Sequence, residues 1–232
     1  MFEWLQQHTG ESLSLGIHPM EERDLEEYLA ELSLTPREQA ELHPLRKRRR
    51  LEWTAARWLL HQMLCEAGHT GRIPVVKDAQ GKPFLADSPL HISLSHSGTL
   101  VAAALSTTPV GVDLQRKNEK IIRVSHKFVG EAEEESLTDA SRLEHLHLYW
   151  CAKEALYKAY GAREVDFRRH LFVEPFPFTE KGFAQAWVRT PSAKKEYRLT
   201  FETAADYFLV CALETPDKNG SSPTDVNHLL RR

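Results

Sequence analysis

The chain has 232 residues, 41% of them hydrophobic and 27% charged, with a formal net charge of −3. It is long enough to bury one large core or two small ones, and its slight acidity argues against a dedicated nucleic-acid binder. Its three cysteines, Cys65, Cys151 and Cys211, form no Cys-x-x-Cys pair and no even-numbered framework, which points to a reducing compartment. The first residues lack a basic stretch followed by an apolar run, and no segment approaches the length of a membrane span. The expectation is a cytoplasmic protein with no membrane partner.

Helical periodicity is expected over Glu21–Leu32, and again from Pro36 to Ala67 with a break near Pro44, before Gly68 and Gly71 end it. Strand signals follow at Val75–Val76 and Leu90–Leu94, and Leu100–Leu105 pairs with the latter across the Ser95–Gly98 turn. After the strand Val110–Leu114 the order recurs. A long helix starting at Glu131 or Ser141 and ending at Tyr160 precedes strands at Trp187–Arg189, Glu196–Glu202 and Tyr207–Glu214. This predicts an α+β fold of two similar halves, residues 1–108 and 109–214, each a helix packed on an antiparallel sheet, with a ligand cleft between them. Identity between His91–Ser106 and Tyr197–Glu214 is slight, so the duplication rests on element order. Residues 215–232, rich in Asp, Asn, Gly, Ser and Pro, read as a disordered tail.

The segment Trp150-Cys-Ala-Lys153-Glu154-Ala-Leu-Tyr157-Lys158 sets a carboxylate between two lysines on a helix. Leu148, Ala152, Ala155 and Ala159 form its packing stripe, and Trp150, Lys153, Glu154 and Tyr157 fall broadly opposite. Alone, Glu154 and Lys158 make a favourable i,i+4 surface pair worth about 0.2–0.5 kcal/mol. Upstream, Val110-Gly111-Val112-Asp113-Leu114-Gln115 sets an acid in an apolar strand, where burial is costly unless a cation pairs with it. A strand-end acid is the plain alternative. Together, Asp113 and Glu154 supply the one or two carboxylates that magnesium takes when it also binds a phosphate substrate, and nearby lysines would offset the remaining phosphate charge.

These motifs are preceded by Gly81-Lys82-Pro83-Phe84 and by His91-Ile-Ser93-Leu-Ser95-His96-Ser97-Gly98. In this order they resemble the 4′-phosphopantetheinyl transferases of the long, surfactin-synthetase-activator (Sfp) type. That family carries a Gly-Lys-Pro element, an Asn-x-Ser-His-Ser element, a (Val/Ile)-Gly-(Val/Ile)-Asp strand and a Trp/Phe-x-x-Lys-Glu-(Ala/Ser)-x-x-x-Lys helix. The resemblance runs from Arg46 to Gly161. It implies two halves related by a pseudo-twofold within one chain, hence a monomer. It also implies transfer of 4′-phosphopantetheine from coenzyme A to a serine of an apo acyl, peptidyl or aryl carrier protein in fatty-acid, polyketide or nonribosomal-peptide synthesis.

By the same resemblance Asp113 and Glu154 hold magnesium, Lys153 and Lys158 offset phosphate charge, and Glu154 takes the serine proton directly or through water. Arg50 and Arg57 meet the nucleotide phosphates, Ser95 and His96 contact coenzyme A phosphates, and Lys82 and Pro83 frame the adenosine end. Many members carry a third metal-site acid where this chain has Gln115, whose neutral carbonyl is a poor ligand, so a water would complete the shell and metal affinity should be weaker.

Some features admit other readings. The run Arg46-Lys47-Arg48-Arg49-Arg50 suits a solvated helix face, attraction of an acidic carrier protein, or a nucleic-acid contact; no aromatic platform or zinc pattern accompanies it. Ser95 and His96 lack the glycines of a nucleophile elbow, and as neighbours in a strand they point to opposite faces, so they do not form a hydrolytic pair. His145 and His147 diverge on a helix and make a weak metal site. A catalytically inactive homologue that binds coenzyme A or a carrier protein is the remaining alternative, suggested by Gln115.

Overall fold

The computed structural model describes residues 13–162 and 164–215. Beyond Thr215, the expected tail lies outside the described residues. Strand β1 (Leu13–Pro19), absent from the sequence expectation, comes first. Helices α1 (Leu25–Glu31) and α2 (Pro36–Leu42) each begin with a capping box, Asp24 with Glu27 and Thr35 with Glu38, which satisfies the free N–H groups of their first turns. The long expected helix breaks around Pro44, and α3 (Lys47–Glu66) starts after it. The hairpin of β2 (Val75–Lys77) and β3 (Pro83–Leu85) leads to a second one, β4 (His91–Ser97) and β5 (Leu100–Ser106).

The second half opens with β6 (Val110–Arg116) and the short helices α4 (Lys120–Val124) and α5 (Glu131–Glu135), so the alternative helix starts at Glu131 and Ser141 are two helices. Helix α6 (Arg142–Tyr160) follows. Strands β7 (Leu171–Val173), β8 (Lys181–Thr190), β9 (Ala193–Ala204) and β10 (Tyr207–Glu214) complete the fold. Strand order is β1-β5-β4 in one sheet and β6-β10-β9-β8-β7 in a second, with β2-β3 a separate two-stranded sheet, all neighbours antiparallel. Each half thus places a first strand, a long helix and a final hairpin in the same chain order, with the last strand lying between the first strand and its own hairpin partner. The fold is α+β. Among the described residues no helix is long and apolar enough to cross a membrane.

Alternation along the central strands builds the layers. Val101, Ala103 and Leu105 of β5 pack on Ala55, Leu59, Leu60 and Met63 of α3. Leu100, Ala102 and Ala104 face the other way, joining Val110, Val112 and Leu114 of β6 and Leu209, Cys211 and Leu213 of β10 between the sheets. Phe208, Val210 and Ala212 of β10 pack under α6. Both faces of β5 and β10 are buried, and so both read as unbroken apolar runs.

Two close approaches position the site. Ser93, Ser95 and Ser97, alternate residues of β4, turn their hydroxyls to β6 and accept from the backbone N–H groups of Val112, Leu114 and Arg116 at 2.9, 3.1 and 2.9 Å. The serine row thus acts as a partner strand built from side chains, each buried rung contributing about 1 kcal/mol net. On the other face, Gly111 lies under α6. A Cβ there would stand 1.9 Å from the Ala155 carbonyl oxygen, so only glycine lets the helix come down onto β6.

Candidate functional site

A cavity of about 350 Å³ lies at the junction, with Asp113 on β6, Glu154 and Lys158 on α6, Ser95 and His96 on β4, and α3 in its walls. Asp113 is only 3% exposed. Its Oδ1 receives the Lys158 ammonium at 2.7 Å and the Ser95 hydroxyl at 3.0 Å, and its Oδ2 receives the Gln115 amide at 2.8 Å. Lys158 also donates to the Val112 carbonyl at 2.9 Å and to Ser95 Oγ at 3.1 Å. Its ion-pair partner is therefore the strand acid across the junction. Burial, and then the charge of Asp113, push the Glu154 carboxyl up to about 7, against the pull of Lys158.

Two crowded carboxylates with one ammonium carry more negative charge than the site neutralises. That donor set fits a divalent cation, and Asp113 and Glu154 are the residues that would hold it. Among the described residues no group of three or more His, Cys, Asp or Glu side chains gathers at a possible metal position. Gln115, expected near the metal shell, turns its amide N–H onto Asp113 and so steadies the carboxylate instead of offering its carbonyl.

The α3 wall is cationic. The helix opens with Lys47, Arg48 and Arg49 and has no acid in its first turn, an arrangement that opposes its own dipole. Glu52 compensates, pairing with Arg48 at 3.1 Å and Arg49 at 3.2 Å, and lying 3.4 Å from His96 Nδ1. Arg49 also contacts the His96 ring, and Arg48 reaches the Gly98 carbonyl. These ties bind the basic run to the β4–β5 hairpin. Burial depresses the pKa of His96, an effect that Glu52 opposes and Arg49 reinforces. Arg57 is 5% exposed, lies 3.6 Å over the Trp53 ring and stands 3.7 Å from Glu41; burial lowers its pKa to about 10, so it stays cationic at neutral pH. Among the described residues Arg57 Nε and Trp53 Nε1 are buried without a hydrogen-bond partner, and both residues line the cavity.

Two expected site residues, Lys153 and Arg50, are placed differently. Lys153 is fully buried on the far side of α6. It pairs with Glu133 at 2.7 Å and donates to the carbonyls of Phe128 and Phe167. One residue before Glu154 is a turn of about 100° on a helix, which carries Lys153 into the core under α5. Arg50 is half-buried but lies off the cavity wall, where Arg49 stands one position earlier and shares a face with Trp53 and Ala56. Lys82 borders an adjoining hollow of about 190 Å³ with Pro83 and Lys158. Its Nζ donates to the Ala159 carbonyl at 2.8 Å, closing the C-terminal end of α6 beside the left-handed Gly161.

Arg49, Glu52, Trp53 and Lys77 were missed by the sequence reading. Their i,i+3 and i,i+4 spacing on α3 was the available signal for the first three. His145 and His147 share no metal position: His145 packs among Tyr149 and Phe176, and His147 Nε2 accepts from the Asn118 N–H. A larger hollow of about 730 Å³ lies on the Gln115 side, walled partly by the loop leading into α4. The carboxylate–lysine cluster borders the smaller cavity, so volume does not locate the chemistry.

The family model for the 4′-phosphopantetheinyl transferase N-terminal domain matches residues 37–106, and that for the 4′-phosphopantetheinyl transferase superfamily matches residues 109–212. The two matched stretches hold the cationic α3, the serine row, Asp113 and α6, and the chain belongs to the 4′-phosphopantetheinyl transferase superfamily. Similar proteins include the 4′-phosphopantetheinyl transferase gsp of Aneurinibacillus migulanus, 35% identical over 37% of this chain and 37% of that protein. The 4′-phosphopantetheinyl transferase Sfp of Bacillus subtilis (strain 168) is 28% identical over 35% of this chain and 38% of its own length. The 4′-phosphopantetheinyl transferase AcpT of Escherichia coli (strain K12) is 34% identical over 54% and 63%. The chain thus spans between about 37% and 63% of the curated relatives it matches.

Two outcomes follow from the charges. Replacing Lys153 by Met leaves the Glu133 carboxylate buried and unpaired, and chemical denaturation should show a loss of about 3–5 kcal/mol; adding Glu133→Gln should recover part of it. For Glu154, a folded pKa of about 7 lies above the ordinary 4.5, so the folded state holds the extra proton between them. Stability is lost as pH rises through that window. In metal-free buffer Glu154→Gln should remove this dependence, leaving the variant roughly 2 kcal/mol more stable than wild type at pH 8 and no different at pH 4.

Proposed function

We propose that this protein transfers the 4′-phosphopantetheine group of coenzyme A to a serine hydroxyl of an apo carrier protein, with magnesium held by Asp113 and Glu154. The observation that carries the reading is the meeting of Asp113, Glu154 and Lys158 in a cavity whose opposite wall is cationic and holds unpaired buried donors. Bound magnesium would polarise the pyrophosphate oxygens and stabilise charge on the leaving group. Arg49, Arg57 and Lys77 present charge suited to the nucleotide phosphates, with Arg57 supplying the planar fork that matches them.

The serine Oγ attacks the β-phosphorus, and the bond from that phosphorus to the bridging oxygen breaks. Adenosine 3′,5′-bisphosphate leaves with the bond pair. On this reading the Lys158 ammonium, fixed by Asp113 and the Val112 carbonyl, offsets the developing negative charge. On this reading Glu154 takes the serine proton, directly or through water, with its basicity reduced by the magnesium that it helps to hold. The partner on this reading is an acidic acyl, peptidyl or aryl carrier protein, and the setting is cytoplasmic. Within one chain both walls of the cavity are supplied, which supports a monomer.

Gln115 favours a second reading, a homologue that binds coenzyme A or a carrier protein without transferring the group. One experiment separates them. Incubated with an apo carrier protein, magnesium and coenzyme A, the wild-type protein should add the mass of one phosphopantetheine to the carrier, and no mass gain across carriers of all three types would leave only the binding reading. Asp113→Asn and Glu154→Gln should each lower the rate roughly 10²-fold or more while the protein remains folded. Gln115→Glu replaces the amide donor with a third acid and should lower the magnesium concentration giving half-maximal rate; an unchanged titration would remove Gln115 from the account of metal affinity.

A further inference from the structure

We infer that His147 is a positioning residue for the loop that leads into α4, and that its protonation releases this loop from α6. Residues 117–119 of the loop wall part of the hollow of about 730 Å³. His147, on α6, is 2% exposed and stacks on Phe208, with ring centroids 4.6 Å apart and an interplanar angle of 15°. Both ring nitrogens are engaged, with opposite polarity. The Leu143 carbonyl can only accept, so Nδ1 carries the proton and donates to it at 2.8 Å. The Asn118 N–H can only donate, so Nε2 holds a lone pair that accepts at 2.9 Å. These two contacts require the neutral imidazole and fix its tautomer.

The start of α4 hangs on Asn118. Its Oδ1 accepts from the Lys120 N–H at 3.0 Å and its carbonyl from the Ile121 N–H at 3.2 Å. A second tie of the loop to α6 is the ion pair of Lys117 with Glu144, whose side chains are 36% and 32% exposed, and a pair so open to water holds weakly. The buried tie is the one to His147. A proton added at Nε2 sets N–H against N–H, so a buried hydrogen bond becomes two facing donors. Burial depresses the His147 pKa; the Leu143 carbonyl opposes this, Lys117 reinforces it and Glu144 opposes it. The Lys117 bond keeps the Glu144 carboxyl below its ordinary range, so Glu144 stays charged while His147 gains its proton. Arg116, Glu119, Lys120 and Asp206 are the other charged groups around the hollow. Freed from the loop, the imidazole moves back towards its ordinary 6.5. Protons therefore favour the released loop, and opening grows as pH falls below that value.

Amide hydrogen exchange on the full chain, corrected for the intrinsic rate at each pH, measures this opening residue by residue. As pH is lowered from about 7.5, the Asn118 and Ile121 amides of the wild-type protein should open about tenfold more readily, before the Leu148 and Leu156 amides of α6 lose protection. His147→Gln keeps an acceptor where Nε2 lies but does not titrate, so Asn118 should stay protected across the same range. His147→Phe keeps the stacking on Phe208 without the acceptor, and should open the loop about tenfold more at every pH. Glu144→Gln should leave the pH dependence in place. Protection of Asn118 that persists until the α6 amides open overturns the inference, as does a pH dependence that survives in His147→Gln. Loss of that dependence in Glu144→Gln assigns the step to the carboxylate instead and overturns it too. Should His147→Phe fail to fold, the wild-type, His147→Gln and Glu144→Gln profiles still decide.

Discussion

Everything about the site depends on how β6 is held from two sides. On one side its free N–H groups are taken by the serine hydroxyls of β4, and on the other Gly111 allows α6 to settle against its backbone. A backbone N–H left unpaired at a buried strand edge costs free energy comparable to a lost hydrogen bond, so the strand cannot drift from the serine row without penalty. The glycine removes the side chain that would hold the helix away. Held in this way, Asp113 meets a lysine from one helix and a hydroxyl from the other half of the chain, and a short stretch of strand becomes the meeting point of both halves.

The electrostatics of the cavity are unbalanced in two opposite ways. On the α6 side, Lys158 pairs with Asp113, and burial together with the Asp113 charge raises the Glu154 carboxyl. Across from it, α3 begins with cations that oppose its own dipole, and Arg57 is buried with its Nε unpaired among the described residues. Neither arrangement stabilises the fold. A bound cation on the first side and bound anions on the second would relieve both, which is the chemical shape of a metal–pyrophosphate substrate.

The two lysines of α6 show how one helix serves two purposes. Lys158 faces β6, while Lys153 is directed into the core, where Glu133 and two carbonyls receive it. A buried ammonium without such partners would shed its proton or destabilise the helix. With them it ties α6 to α5 and to the segment ending at Phe167, the same segment that packs on Trp150 and Tyr157. The helix that carries Glu154 is thereby fixed on the flank away from the cavity.

Much of this was legible in the sequence. Periodicity placed the long helices and the two final hairpins, and the order of motifs singled out Asp113, Glu154 and Lys158, because residue type and spacing report local conformation and the chemistry a side chain can perform. Helix boundaries near Pro44 followed from proline's missing N–H. The first strand was missed, since Leu13–Pro19 gains its identity by pairing with β5. Only the tertiary structure decided that Arg49 and not Arg50 lines the cavity, that Lys153 is a core ion pair, that Lys82 closes the end of α6, and that Gln115 and Ser95 hydrogen-bond to Asp113. One residue along a helix rotates a side chain by about 100°, and which direction meets a phosphate, a carboxylate or the core is set by neighbours distant in the chain. Spacing named the groups; packing assigned their partners.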